Sequence, residues 1–154
     1  MKKLVNRVDH VAWIVRYENV DTEVARLEEL ADVKLQRFER SDAGILICVN
    51  WDAGLEILSP LPERNDFNGA LHDHLDRQGQ GVFAVVFGVS SLDRQKQRLE
   101  ALGYEVGPEV DDHPDSPWHD RLVLRERIAG PFLGGFFTLG DIAYADDVIR
   151  IEDV

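Results

Sequence analysis

The chain has 154 residues, 44% apolar and 30% charged, which suits a soluble single domain or two small halves sharing one core. Its 29 acidic side chains against 17 basic ones give a formal net charge of −12, which excludes nucleic acid and anionic membrane surfaces as expected partners. No run approaches the roughly 18 apolar residues of a membrane span. The opening MKKLVNRVDH lacks the apolar stretch of a signal peptide, so a cytoplasmic location is expected.

Taken in chain order, RVDHVAWIV (7–15) alternates as a strand, with Val8, His10, Ala12 and Ile14 on one face and Val11, Trp13 and Val15 on the other. NVDTEVARLEEL follows, a capping residue and then Val24, Leu27 and Leu30 at helical spacing. VKLQRFER, AGILICVN and GLEILSP read as three strands, the last two joined by a hairpin turn at WDAG. Cys48, the single cysteine, excludes an internal disulfide; within GILICV it reads as a buried small hydrophobe. PLPERN is a loop, and DFNGALHDHLDRQG a short helix ending at Gly79.

From Gly81 the grammar repeats. GVFAVVFGV is a strand; SSLDRQKQRLEALG is a helix with a Ser cap and a Gly stop. YEVGPEV reads as a short strand, DDHPDSPWHD as a loop and RLVLRERI as a strand. AGP is then read as a turn, FLGGFFTLGDI as a strand, and DDVIRIEDV as a tail or edge strand. The order β-α-β-β-β thus occurs twice, at a period near 75 residues. The division is one domain over 1–154, with a first half at 6–60, a linker with a short helix at 61–80, a second half at 81–142 and a tail at 143–154.

Paired units of this kind, with VDHVAWIV, GLEILSPL and LDRQGQGVFAVVFGVSSLDRQKQRLEALGYEV in this order, resemble the vicinal oxygen chelate (glyoxalase, bleomycin-resistance and extradiol-dioxygenase) superfamily. The spacing is closest to methylmalonyl-CoA epimerase and glyoxalase I. The resemblance implies an α+β fold, two βαβββ units forming one cup-shaped mixed sheet, and a homodimer. It also implies a divalent metal (Zn, Ni, Co, Mn or Fe) on the first and fourth strands of each half, stabilising an oxyanion. Matched position by position, His10 and Glu56 fall on two ligand sites. The third falls on Ala84, where the resemblance calls for a histidine, and the fourth near Phe137 and Thr138, where it calls for a carboxylate. Two protein ligands do not hold a metal well. The expectation is therefore no cofactor, with His10 and Glu56 as metal ligands only if a metal is bound.

His10 is the acid–base candidate, by its ordinary titration range. Glu56, set between Leu55 and Ile57, is a carboxylate that an apolar strand tolerates only with a partner, and His10 is the natural one. Ala84, Trp118, Phe137 and Thr138 are the candidate substrate-binding residues. His72 and His74 read as a solvated helix face, and the loop around His113 and His119 as solvent-exposed. Trp13 reads as core. The expected function is that of a lyase or isomerase, of epimerase or cyclase type, on a small carbonyl compound. The alternative is a non-catalytic drug-binding protein, which the missing ligands and the acidic charge favour. An extradiol dioxygenase ranks last, for want of a histidine in the fifth strand.

Overall fold

A computed structural model of the chain describes all 154 residues. Eight strands and three α-helices form an α+β mixed fold in the expected βαβββ order: β1 (Val8–Ile14), α1 (Val20–Ala31), β2 (Gln36–Arg40), β3 (Ile45–Asn50), β4 (Leu55–Pro60), α2 (Gly69–Gln78), β5 (Gly81–Gly88), α3 (Leu92–Ala101), β6 (Val110–Asp111), β7 (Leu122–Phe132) and β8 (Gly135–Tyr144). The chain divides into two compact units, and the division cuts through two strands. Residues 12–83 make one unit; residues 1–11 with 84–154 make the other, so the first half of β1 goes with the C-terminal elements.

In the unit of residues 12–83, β2, β3 and β4 pair antiparallel in that order. Register sets Cys48 opposite Ile57, and both pack with Val15, Val20 and Leu46 into a core that Trp13, Val24 and Leu27 complete. This is the apolar stripe of α1 meeting the inner face of the strands. Burial pushes the Cys48 thiol up to about 11, as expected of a small hydrophobe rather than a nucleophile. Asn19 does not cap α1 as its position suggests. Its side chain donates instead to Gln80 Oε1 at 2.8 Å, and a short 3-10 turn (Tyr17–Asn19) leads into the helix.

The expectation for α2 needs a correction. His74 is buried, edge-on to Phe83 with ring centroids 5.0 Å apart, because Leu71, His74 and Leu75 share the inner face at i, i+3 and i+4. Burial, with the nearby Arg77 charge, lowers its pKa. His72 Nε2 reaches the Leu61 carbonyl oxygen at 2.9 Å.

In the other unit the strand order is β5-β8-β7-β6. The pair β5–β8 is parallel and the other two pairs antiparallel. Ser91 caps α3 by accepting from the Arg94 amide at 3.2 Å, and Asp141 accepts from the Leu92 amide at 3.2 Å, a carboxylate at the helix N-terminus. Leu92 and Leu99 then press on Val89, Leu139 and Phe87. Each fully buried leucine contributes about 1.5–3 kcal/mol.

Three boundaries differ from the sequence reading. Ala129-Gly130-Pro131 does not turn the chain: β7 runs through it with a bulge between Ile128 and Gly130, and the hairpin closes at Leu133 and Gly134, both at positive φ. YEVGPEV yields only the two-residue β6 at Val110–Asp111, and residues 145–154 form no strand.

Candidate functional site

Strand alternation sorts the second unit's sheet into two faces. Leu139 and Phe87 meet α3. The opposite, helix-free face carries Glu126 and Ile128 on β7, their cross-strand partners Gly140 and Thr138 on β8, and Ala84, Val86 and Gly88 on β5 beside Phe136, Thr138 and Gly140. Gly140 is required there: a Cβ would lie 2.6 Å from Val86 Cγ1.

This face holds a polar cluster in an otherwise apolar setting. His10 is 2% exposed, and its Nε2 lies 3.6 Å from Glu126 Oε1, an ion-pair separation too long for a direct hydrogen bond. Its Nδ1 lies 2.7 Å from Asp9 Oδ1. The same Asp9 oxygen accepts from the Tyr144 hydroxyl at 2.6 Å. With Asp9 ionised its carboxylate can only accept, and the tautomer that satisfies it carries the ring proton on Nδ1. Tyr144 and Asp9 thereby fix the imidazole, and Nε2 is the nitrogen left to exchange a proton with Glu126 or with a molecule bound beside it. Glu126 keeps 18% of its side chain exposed, and neighbouring Ile128 is exposed as well, so the cluster opens to solvent at Glu126. Two buried oxygens have no hydrogen-bond partner: Asp9 Oδ2 and Thr138 Oγ1. Each is a group whose burial costs free energy until something donates or accepts.

Ala84 is buried on the helix-free face opposite Phe136. Thr138 is buried on that face too. Phe137, its neighbour in sequence, must point the other way and stacks obliquely on Phe87 with centroids 5.8 Å apart. Trp118 is buried in its own loop, its indole N–H donating to Asp112 Oδ1 at 3.0 Å; Asp112 also accepts from Ser116 Oγ at 2.7 Å and lies 3.2 Å from His119 Nδ1. Glu56 belongs to the unit of residues 12–83, on the face away from α1, opposite Val49.

Sequence reading missed Asp9, Glu126 and Tyr144. The signal for Glu126 was available: in RLVLRERI, Leu122, Leu124, Glu126 and Ile128 alternate onto one face, a single carboxylate in an apolar row. Asp9 carried none, since a strand sends neighbouring side chains to opposite faces.

The donor set does not fit the metal that the resemblance implies. Ala84 at the expected third position has no donor and lies beside Phe136; Phe137 and Thr138 at the expected fourth bring no imidazole or carboxylate; and nowhere do three His, Cys, Asp or Glu side chains converge as a metal site requires. His10 Nδ1 is already engaged by Asp9.

No family model matches the sequence, and no curated protein is significantly similar to it. Solved structures are. A methylmalonyl-CoA epimerase from Mycobacterium tuberculosis superposes with a TM-score of 0.62 at 21% identity, over 92% of this chain and 91% of that one. A methylmalonyl-CoA epimerase in complex with methylmalonyl-CoA and NH4+ gives 0.66 at 17% identity, over 96% and 100%. A Streptomyces coelicolor epimerase variant in complex with 2-nitronate-propionyl-CoA gives 0.64 at 18%, over 90% and 98%. These likenesses span nearly the whole of each chain, and the strand order and helix positions agree with the paired βαβββ grammar of the sequence. The chain shares the glyoxalase-like fold of these methylmalonyl-CoA epimerase structures.

Proposed function

We propose that this protein is an isomerase that removes and returns a proton next to the carbonyl of a small acyl thioester, with His10 and Glu126 as the proton-moving pair. The observation that carries the reading is the support around His10. A buried imidazole fixed at Nδ1 by Asp9 and Tyr144, with a partly open carboxylate beside Nε2, is built to pass a proton and has no evident packing role. A hydrophobic residue of similar volume would fill the space at lower cost in desolvation. Thr138, with a buried hydroxyl lacking a partner on the same face, is offered as the group that meets the substrate carbonyl oxygen. Methylmalonyl-CoA is the first substrate to test, because it is bound by one of the fold's neighbours.

The test is solvent exchange: methylmalonyl-CoA incubated with the protein in D2O, followed by mass spectrometry of the C2 position. Deuterium entering faster than in the enzyme-free blank, and lost in His10→Ala, supports the reading. Exchange no faster than the blank overturns it. For Glu56 the support remains its place between Leu55 and Ile57, and Glu56→Gln in the same assay decides whether it takes part.

The second reading is a binding protein without turnover, favoured by the apolar Ala84 and Phe137 at ligand positions. It predicts saturable binding of the thioester with no exchange.

A further inference from the structure

The strands around His10 are sorted by charge as well as by polarity. β7 alternates through LVLRERI, so Arg125 and Arg127 turn to the side where Leu139 meets α3, while Glu126 and Ile128 turn to the His10 side. Both arginines are engaged where they stand. Arg125 donates to Asp93 of α3 at 3.1 Å and to Glu109 at 2.7 Å, and Arg127 donates to the Gly107 carbonyl oxygen at 2.8 Å. β5 carries no charged residue, and the single one on β8, Asp141, meets the Leu92 amide of α3 and Lys3 Nζ at 2.6 Å. The charges these strands bring to His10 are therefore carboxylates, those of Asp9 and Glu126. Ala84, Val86, Phe136 and Ile128 make the rest of that face apolar, apart from the Thr138 hydroxyl.

That balance bears on which groups C2 of a bound thioester can carry. When the C2 proton passes to the His10–Glu126 pair, the C–H electron pair moves onto the thioester oxygen, and both return on reprotonation. The enolate has one negative charge if the other groups on C2 are neutral, and two if one of them is a carboxylate. A second anion on C2 would face Glu126 and Asp9 in an apolar setting that screens little, with no arginine or lysine of these strands to meet it. An alkyl group would meet apolar side chains instead. Ile128 is the position where the difference can be reversed. It is 38% exposed, follows Glu126 on the same face of β7, and has Thr138 as its cross-strand partner.

We propose that this site prefers 2-alkylacyl thioesters, neutral at C2, over 2-carboxyacyl ones, and that Ile128 is a specificity-determining residue for that choice. The inference rests on the proton transfer proposed above.

The experiment is deuterium incorporation at C2 of 2-methylbutanoyl-CoA and of methylmalonyl-CoA. Each kcat/KM is divided by the thioester's own enzyme-free rate, because the two differ in acidity. Both carry the same CoA, so its charge cancels from their ratio. The neutral thioester is expected to be favoured at least about tenfold by the wild type. Ile128→Lys should move the ratio at least about tenfold toward methylmalonyl-CoA. Val123→Lys, which adds the same charge at an exposed position on the opposite face of β7, should leave the ratio where it was. Circular dichroism checks that both variants are folded. Exchange of both thioesters with methylmalonyl-CoA equal or favoured overturns this inference and leaves the proton transfer standing, and a ratio that the two lysines move alike removes Ile128 from the role. Exchange of neither thioester overturns the proton transfer, and this inference with it.

Discussion

Replacing Tyr144 with Phe removes one oxygen and leaves the ring, which is 1% exposed, in place; no cavity forms. What is lost is the hydroxyl donor 2.6 Å from Asp9 Oδ1. Asp9 is buried, and its other carboxylate oxygen has no partner, so the change leaves the carboxylate with only the His10 Nδ1 proton of its two donors. A hydrogen bond to a charged group contributes about 1.5–3 kcal/mol, and a desolvated carboxylate cannot turn to water for a replacement. The expected loss is about 2 kcal/mol. With a urea slope of about 1–3 kcal/mol/M for a small protein, the midpoint falls by roughly 1 M at unchanged slope. Urea unfolding followed by far-UV circular dichroism reads this directly. The same substitution in an Asp9→Asn background should cost less, because the charge that made the bond strong is gone; the two should couple by roughly 0.5–3 kcal/mol. A Tyr144→Phe variant within about 0.5 kcal/mol of wild type, or one whose cost is the same in both backgrounds, would refute the claim that Tyr144 and Asp9 act together to hold His10.

Other positions test the packing and electrostatics separately. Gly88→Ala sets a Cβ against the Leu4 carbonyl oxygen, backbone on backbone, so no side chain can give way; the loss should exceed the usual 1–3 kcal/mol of overpacking, read as a collapse of the thermal midpoint. Cys48, with its thiol pushed up to about 11 by burial, should stay silent to a thiol-reactive chromophore at pH 8 and react on unfolding in urea. His74 has a folded pKa lowered by burial below its unfolded value, so the unfolded chain binds the proton more readily. Stability is therefore full above pH 6.5 and declines as pH falls below it; a His74→Phe variant should lose that part of the decline between pH 7 and pH 5 in urea titrations.

Most of the fold was legible because the chain repeats its own grammar. Ser91 before LDRQKQRLEAL, the apolar run from Phe83 to Phe87 and the alternation of GLEILSP each announce an element that local physics alone favours. What escaped depended on contacts distant in sequence. Residue 133 turns the hairpin where AGP looked the better turn, because the bulge at Ile128 and Gly130 lets β7 pass a glycine and a proline. His74 carried a local sign that went unread, its spacing from Leu71 and Leu75, which sets all three on the inward face of α2. At the site, His10 was found by its place on an apolar strand, whereas its supports come from the adjacent residue and from positions 126 and 144. Alternation narrowed Glu126 to a face without saying that His10 shared it.

The central claim is that Glu126 and His10 form one proton-moving pair. The most direct test is the rate at which Glu126→Gln, an uncharged replacement of nearly the same shape, incorporates solvent deuterium at C2 of methylmalonyl-CoA. Loss of a positioned acid–base group is expected to slow incorporation by about 10²–10⁴-fold with the protein still folded. Incorporation at the wild-type rate would contradict the account.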